Sequence, residues 1–302
     1  MDARYPGDAI VNAMTVDVED YFHVSVFDGV VPRRRWEQLE SRVCANTDRL
    51  LEIFDAGGVT ATFFVLGWVA ERCPDLVRRI AERGHEVGSH GYGHRLVYDQ
   101  TPRQFREDVH RSKAILEAAG VAPVYGYRAP SYSITPRSLW ALDILIDEGF
   151  RYDASIFPVH HDRYGIPVSG RHPYRVERER GGLWEAPGST VRWGPLNMPV
   201  AGGGYFRILP YAWTKWGIAR LNRVERRAAI FYLHPWEIDP GQPRLDAGAL
   251  GRFRHYCNLD KTESRLKALL RDFRFGPMLP MLSSTTEEAP APSGVLALPY
   301  YW

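Results

Sequence analysis

The stretch His85-Glu86-Val87-Gly88-Ser89-His90-Gly91-Tyr92-Gly93-His94 sets two imidazoles, His90 and His94, four residues apart. Its glycines disfavour a long helix and let the backbone turn tightly around an ion. The pattern therefore reads as a short extended piece that delivers a two-histidine loop. A Ser-His-Gly turn also occurs as an ordinary loop, so the pair gains meaning only with the rest of the chain.

On both sides of this stretch, short apolar runs alternate with amphipathic helical patterns, which is the habit of an α/β protein with parallel strands. Strands are expected over 10–18, 60–66, 85–88, 124–127, 150–154, 183–186 and 228–233. Helices are expected over 41–56, 75–83, 101–119, 136–148 and 211–227. Gly57-Gly58 stops the first helix, and Pro102 and Gly120 bracket the third. Repeated strand–helix units predict a barrel of about seven strands. Two stretches break the rhythm: 159–182, rich in His, Arg, Gly and Pro, and 193–210, with Gly202-Gly203-Gly204, read as long loops or lids. Both would border a cleft and carry rings such as Trp193 or Tyr205 into it. The segment 283–294 is low-complexity Ser, Thr, Glu, Ala and Pro, and 283–302 is expected to be a disordered tail.

With 302 residues and 45% hydrophobic content the chain can bury one large core. Thirty-eight basic residues against 36 acidic ones leave a formal charge of +2, interleaved over most segments. That balance gives no footprint for nucleic acid or an anionic membrane. Cys44, Cys73 and Cys257 are odd in number and far apart, which argues for free thiols in a reducing compartment. With no signal-type segment at 1–10 and no run of about 18 apolar residues, the expectation is a soluble cytoplasmic protein.

The polar residues of interest stand where strands end. Asp17, Glu19 and Asp20 lie within four residues at the end of an apolar strand, and three carboxylates so close repel unless a cation compensates. Alternation puts Asp17 and Glu19 on one side and Asp20 on the other unless the strand has already turned. Arg128 closes 124–127 and is held extended by Pro130. Asp153 follows Phe150-Arg151-Tyr152 and reads equally as a cap. His234 ends the most apolar strand, the place where barrels carry reactive groups.

The order Thr15-Val16-Asp17-Val18-Glu19-Asp20, Ser89-His90-Gly91-Tyr92-Gly93-His94, Arg128-Ala129-Pro130, Tyr152-Asp153-Ala154-Ser155 and Leu233-His234-Pro235 resembles the polysaccharide deacetylases, the NodB-homology or carbohydrate esterase family 4 group. The part from His234-Pro235-Trp236-Glu237 through Phe253-Arg254-His255-Tyr256 to Phe273-Arg274-Phe275 looks like the subgroup found with exopolysaccharide and exosortase loci. The resemblance implies a distorted (β/α) barrel over 1–240 with lid insertions at about 159–210, a C-terminal helical extension over 241–282 packed on it, and metal-dependent amide hydrolysis.

By the same resemblance, Asp17 is the general base, His90 and His94 are metal ligands, Arg128 orients Asp17, and His234 is the general acid with Asp153 holding its tautomer. The third ligand is Glu19 or Asp20; alternation favours Glu19 and an early turn favours Asp20. Arg128-Ala129-Pro130 is followed by Ser131 and not by an aromatic residue, which leaves open the pocket wall and the backbone oxyanion donor near Ser131. Two histidines and a carboxylate suit zinc first, with cobalt, nickel or iron also fitting. The expected reaction is N-deacetylation of a sugar in a polysaccharide or lipid-linked precursor. The alternatives are a deformylase of a lipid-linked aminosugar, a cyclic-imide amidohydrolase, or a non-catalytic carbohydrate-binding module, for which neither Asp17 nor His234 is needed.

Overall fold

The computed structural model describes residues 10–120, 123–161 and 163–284. β1 (Val11–Val18) is buried at all but its first residue, as a run with no polar face must be when helices cover both sides of a parallel sheet. α1 (Val43–Gly57) buries Leu50, Leu51, Ile53 and Phe54 and ends on Gly58 at φ 63°, a left-handed cap. There follow β2 (Thr62–Val65), α2 (Gly67–Arg72), α3 (Pro74–Glu82) and β3 (Glu86–Ser89). α4 (Pro102–Ala118) is opened by a reciprocal Thr101–Gln104 capping box. β4 (Gly126–Tyr127), α5 (Trp140–Asp147) and β5 (Tyr152–Asp153) complete the first half.

The two stretches expected to be loops carry structure of their own. β6 (Tyr174–Arg178) forms an antiparallel hairpin with β7 (Gly181–Glu185), and β8 (Thr190–Trp193) another with β9 (Leu196–Pro199). α6 (Gly203–Ile208) and α7 (Tyr211–Arg220) follow; the helix expected to reach 227 stops at Arg220 and passes through a π-turn to Arg226 at φ 54°. β10 (Ile230–Leu233) is fully buried.

The segment beyond 240 is not purely helical. After α8 (Gly248–Tyr256) and α9 (Leu259–Asp272), β11 (Arg274–Gly276) pairs in parallel with the start of β1. α10 (Met278–Ser283) then crosses the N-terminal ends of the strands, where Met278 N–H donates to Thr62 Oγ1 (2.7 Å) and Leu279 N–H to Glu86 Oε2 (3.0 Å). The expected disordered tail begins as the last residue of this helix; 285–302 lies outside the described residues.

The hydrogen-bonded order is β10-β1-β2-β3-β4-β5-β7-β6, parallel throughout except for the β6–β7 hairpin, with β11 joining β1 as a ninth strand. The fold is α/β with a mostly parallel central sheet. Seven strands were expected over short apolar runs; the two additions are a five-residue hairpin strand and a three-residue strand, both too short to show a clear period. The C-terminal ends of β1, β3, β4, β5 and β10 come together on one side.

Candidate metal and catalytic site

Except for His94, which lies in the loop after β3, each reactive side chain sits at the C-terminal end of a strand or one residue past it, where side chains are released from the sheet toward a common point. Thr15 and Asp17 project from the same side of β1, and Glu19 follows one residue beyond its end. His90 follows β3, Arg128 follows β4 and His234 follows β10. Backbone pairing makes this order unavoidable: Ser89 and Tyr127 are partners in neighbouring strands, as are Val16 and Leu233.

Glu19, His90 and His94 each offer a ligand atom within 4.8 Å of the others. Glu19 Oε2 lies 3.3 Å from His94 Nε2, and Oε1 lies 3.7 Å from His90 Nε2. All three residues are buried. His90 Nδ1 donates to the Arg128 carbonyl (2.8 Å), which leaves Nε2 as a bare lone pair. That Nε2, Glu19 Oε2 and His94 Nδ1 have no hydrogen-bond partner. Buried polar atoms without partners are costly unless something else satisfies them, and two nitrogens and a carboxylate converging on one point suit a divalent ion. Arg33 ties the loop down by donating to the Gly93 and His94 carbonyls (2.7 and 2.9 Å). His94 itself adopts φ 48°.

Asp20 is elsewhere. It accepts from Ser41 Oγ (2.8 Å) and from the Arg42 and Val43 N–H groups (2.8 and 3.1 Å), capping the start of α1 from a distance. The carboxylate beside the imidazoles is Glu19.

On one flank, Arg128 Nη1 donates to Asp17 Oδ1 (2.8 Å) and to Thr15 Oγ1 (2.7 Å), while its Nε donates to the Ala154 carbonyl (3.2 Å). The guanidinium is buried and lies over the Phe64 ring at 4.3 Å. On the other flank, His234 Nε2 lies 3.2 Å from Glu19 Oε1 and 3.9 Å from Asp17 Oδ2. Its Nδ1 is 2.6 Å from Glu237 Oε1. Glu237 in turn takes a 2.6 Å bond from the buried Arg207 of α6. The His234 ring stacks on Trp236, and Trp236 stacks on His255. Burial works against charge on His234, yet the carboxylates of Glu19 and Glu237 raise it to about 10. Glu237 is brought down to about 2, again against burial, by Arg207 and His234. The His94 and His234 imidazoles likewise outweigh burial and hold Glu19 well below the usual carboxylate range.

Asp153 does not reach His234. It stands in register with Glu185 of the neighbouring strand and accepts from Ser155 Oγ. Both carboxyls are buried, and Asp153 Oδ2 and Glu185 Oε2 face no other partner, the arrangement of two acids that share a proton. Burial pushes Asp153 up to about 6, and burial with the Asp153 charge pushes Glu185 well above its usual value. The folded chain thus keeps a proton that the unfolded chain loses above the ordinary carboxyl range. The pair costs stability that grows as pH rises from about 4.5. Glu185→Gln keeps the hydrogen bond without the titration. Urea unfolding should find it more stable than the parent by on the order of 1–2 kcal/mol at pH 8, with no gain at pH 4.

The role of Glu237 was carried by a signal in the sequence, a Glu three residues after the strand-ending histidine. Arg207 had none, since its partner lies 30 residues away in a different element. A cavity of about 250 Å³ opens onto His234 and is lined by Ser131, His161, Arg163, Tyr164, Gly204 and Arg254 among others. Both segments read as lids therefore reach it, and Tyr205 lines an adjoining cavity, whereas Trp193 lines neither. Ser131 and Tyr132 adopt φ 53° and 54°, a left-handed turn beside that wall.

Residues 40–145 match the family model described as polysaccharide deacetylase. Over those residues the chain is similar to polysaccharide deacetylases. Residues 154–283 match a second model, described as a domain of unknown function, DUF3473. The site spans both: His90, His94 and Arg128 belong to the deacetylase match, His234, Glu237 and Arg207 to the other, and Asp17 and Glu19 precede both. The chain is 35% identical over 99 residues to a peptidoglycan-N-acetylglucosamine deacetylase of Bacillus cereus, covering 32% of this chain and 36% of that protein. It is 34% identical over 115 residues to a peptidoglycan deacetylase of Helicobacter pylori, covering 38% and 37%. It is 31% identical over 100 residues to a chitooligosaccharide deacetylase of a Bradyrhizobium species, covering 33% and 43%. The chain thus spans little more than a third of the length of the peptidoglycan deacetylases. A crystal structure from Mycobacterium smegmatis, described as a polysaccharide deacetylase, superposes with a TM-score of 0.63 at 23% identity over 95% of this chain and 94% of that one, a likeness of fold.

Proposed function

We propose that the chain hydrolyses the acetamide of an N-acetylated sugar, in a polysaccharide or a lipid-linked glycan precursor, with a divalent metal held by Glu19, His90 and His94. One observation carries this reading: Glu19, His90 and His94 bring ligand atoms within 4.8 Å of one another beside a carboxylate clamped by Arg128 and an imidazole clamped by Glu237. The ion, zinc before cobalt, nickel or iron, supplies polarisation of the amide carbonyl and acidification of a water. Asp17, its Oδ1 fixed by Arg128, takes the proton of the attacking water on Oδ2. His234, charged between two carboxylates, gives its proton to the nitrogen as the C–N bond breaks, because an unprotonated amine leaves poorly. The Ser131 N–H is the oxyanion donor.

The N-acetylated sugar is supported by the names of the relatives, which act on peptidoglycan N-acetylglucosamine and chitooligosaccharide. A place in exopolysaccharide synthesis rests on the resemblance of the segment from His234 to Phe275, and a cytoplasmic location on three free cysteines. Among the described residues, no helix is long and apolar enough to cross a membrane.

Metal-loaded protein should release acetate from N-acetylglucosamine oligomers and little formate from N-formyl counterparts. Formate release alone would favour a deformylase, and neither product would leave only a carbohydrate-binding role.

A further inference from the structure

The balanced charge of the whole chain hides a local imbalance. Residues 186–224 contain no Asp or Glu in 39 positions, although the average of 36 acids in 302 residues would put four or five there. The same segment holds Arg192, Arg207, Lys215, Arg220 and Arg223 together with Trp193, Trp213 and Trp216. It folds into the β8–β9 hairpin, α6 and α7.

Five of the ten exposed large apolar side chains among the described residues fall within it: Val224 (66%), Trp193 (63%), Leu196 (52%), Trp216 (39%) and Ile208 (38%). Trp193 and Leu196 are register partners beside the hairpin tip. The Trp193 ring lies 6.5 Å from Trp213 and 6.3 Å from Trp216, which are 5.1 Å apart. Trp213, with Ile208 and Leu209, also walls a cavity of about 540 Å³ that shares His161, Tyr164, Gly204 and Arg254 with the cavity at His234.

The chemistry of the patch selects among occupants. A glycan platform commonly sets carboxylates or free amides beside its rings to bind hydroxyls. This segment has no carboxylate, the Asn197 amide donates to the Pro158 carbonyl, and the Trp213 N–H to the Pro199 carbonyl. A second copy of the chain in a two-fold contact would set one basic segment against another. Tryptophans mixed with aliphatic side chains on a segment whose own charges are all basic are what the headgroup boundary of an anionic bilayer accepts. Arg207 is held by Glu237 (2.6 Å), Lys215 by Asp272 (3.0 Å) and Arg220 lies 3.8 Å from Glu225, so the exposed Arg192, on the other face of β8 from Trp193, and the exposed Arg223 are the cations left for headgroups.

We propose that this face docks onto an anionic phospholipid bilayer, with Trp193, Leu196 and Trp216 at the headgroup boundary. If the deacetylase reading holds, the second cavity then connects the bilayer surface to His234, the route a sugar on a lipid carrier needs.

The test is co-sedimentation of the full chain with vesicles of phosphatidylcholine alone or mixed equally with phosphatidylglycerol. Binding is expected to the mixed vesicles, weaker to the neutral ones, and reduced by salt. Trp193→Ser combined with Trp216→Ser should weaken it at least about tenfold, and Arg192→Glu should weaken it on the mixed vesicles only. Val168→Ser, which removes an equally exposed side chain elsewhere, should change nothing. Melting temperatures equal to the parent's would exclude misfolding as the cause. No binding to mixed vesicles, or binding untouched by the double substitution, would overturn the proposal. So would protein fluorescence quenched by chitin oligomers, or self-association, that the double substitution removes while vesicle binding persists. None of these readings requires turnover. An inactive protein that binds vesicles leaves this proposal standing, and an active one that does not leaves the deacetylase reading standing.

Discussion

Glu19→Gln should lose divalent metal by at least two orders of magnitude in affinity and lose turnover with it, whereas Asp20→Asn should keep both. Even second-shell changes cost about 10–100-fold at metal sites, so removal of a direct charged ligand sets a lower bound there. Glu19 lies 3.3 and 3.7 Å from the two imidazoles, while both Asp20 oxygens are engaged by Tyr21, Ser41, Arg42 and Val43. Asp20→Ala should therefore appear in stability and not in metal content. It strands buried N–H groups at the start of α1, a cost on the order of 3 kcal/mol. Metal analysis after dialysis, with thermal melting beside it, separates the two carboxylates. Metal retained by Glu19→Gln and lost by Asp20→Asn would reverse the assignment.

The difference between these neighbours was half legible in the sequence. Strand alternation placed Asp17 and Glu19 on one side, and the structure keeps that phase one residue past the last sheet partner, Val18. What could not be read was the job of Asp20, because its partners lie at 41–43, brought back by a loop with no period. The strand ends carrying His90, Arg128 and His234 were legible for the same reason as the strands: buried parallel strands are apolar throughout, so the first polar residue marks where the sheet lets go.

Asp153 marks the limit of that reasoning. It also ends a short strand, yet register hands it to Glu185, and strand register across the 27 residues between β5 and β7 is not written in either segment. Of the hairpin strands within 159–210 only that at 183–186 was read; β6, β8 and β9 are four or five residues long, too short to show a clear alternation. β11 was missed because three residues cannot display a period. The acid-free run at 186–224 was readable all along, but an average over 302 residues concealed it.

His234→Ala should lower kcat by roughly 10²–10⁴-fold with metal content intact, since proton donation to the leaving amine is worth about that much. The imidazole touches no hydrogen-bond partner that anchors the fold except Glu237, so the loss should be chemical and not structural. The pH profile gives a sharper sign. Activity requires the imidazolium, and Glu19 and Glu237 raise His234 from 6.5 to about 10 against burial. A cation on Glu19 opposes that attraction, so the alkaline limb of the loaded protein should fall between these two values. Glu237→Gln removes the carboxylate 2.6 Å from Nδ1 and should move the limb toward acid, lowering kcat more than it changes KM. Arg207→Ala is a different case. It leaves the buried Glu237 with His234 as its one charged partner, and should unfold the chain at lower temperature, a cost on the order of 3 kcal/mol. Turnover by His234→Ala with an unchanged alkaline limb would assign the proton to another donor, with His160 and His161 next in line. A shifted limb in Glu237→Gln would tie it to the ring that Glu237 holds.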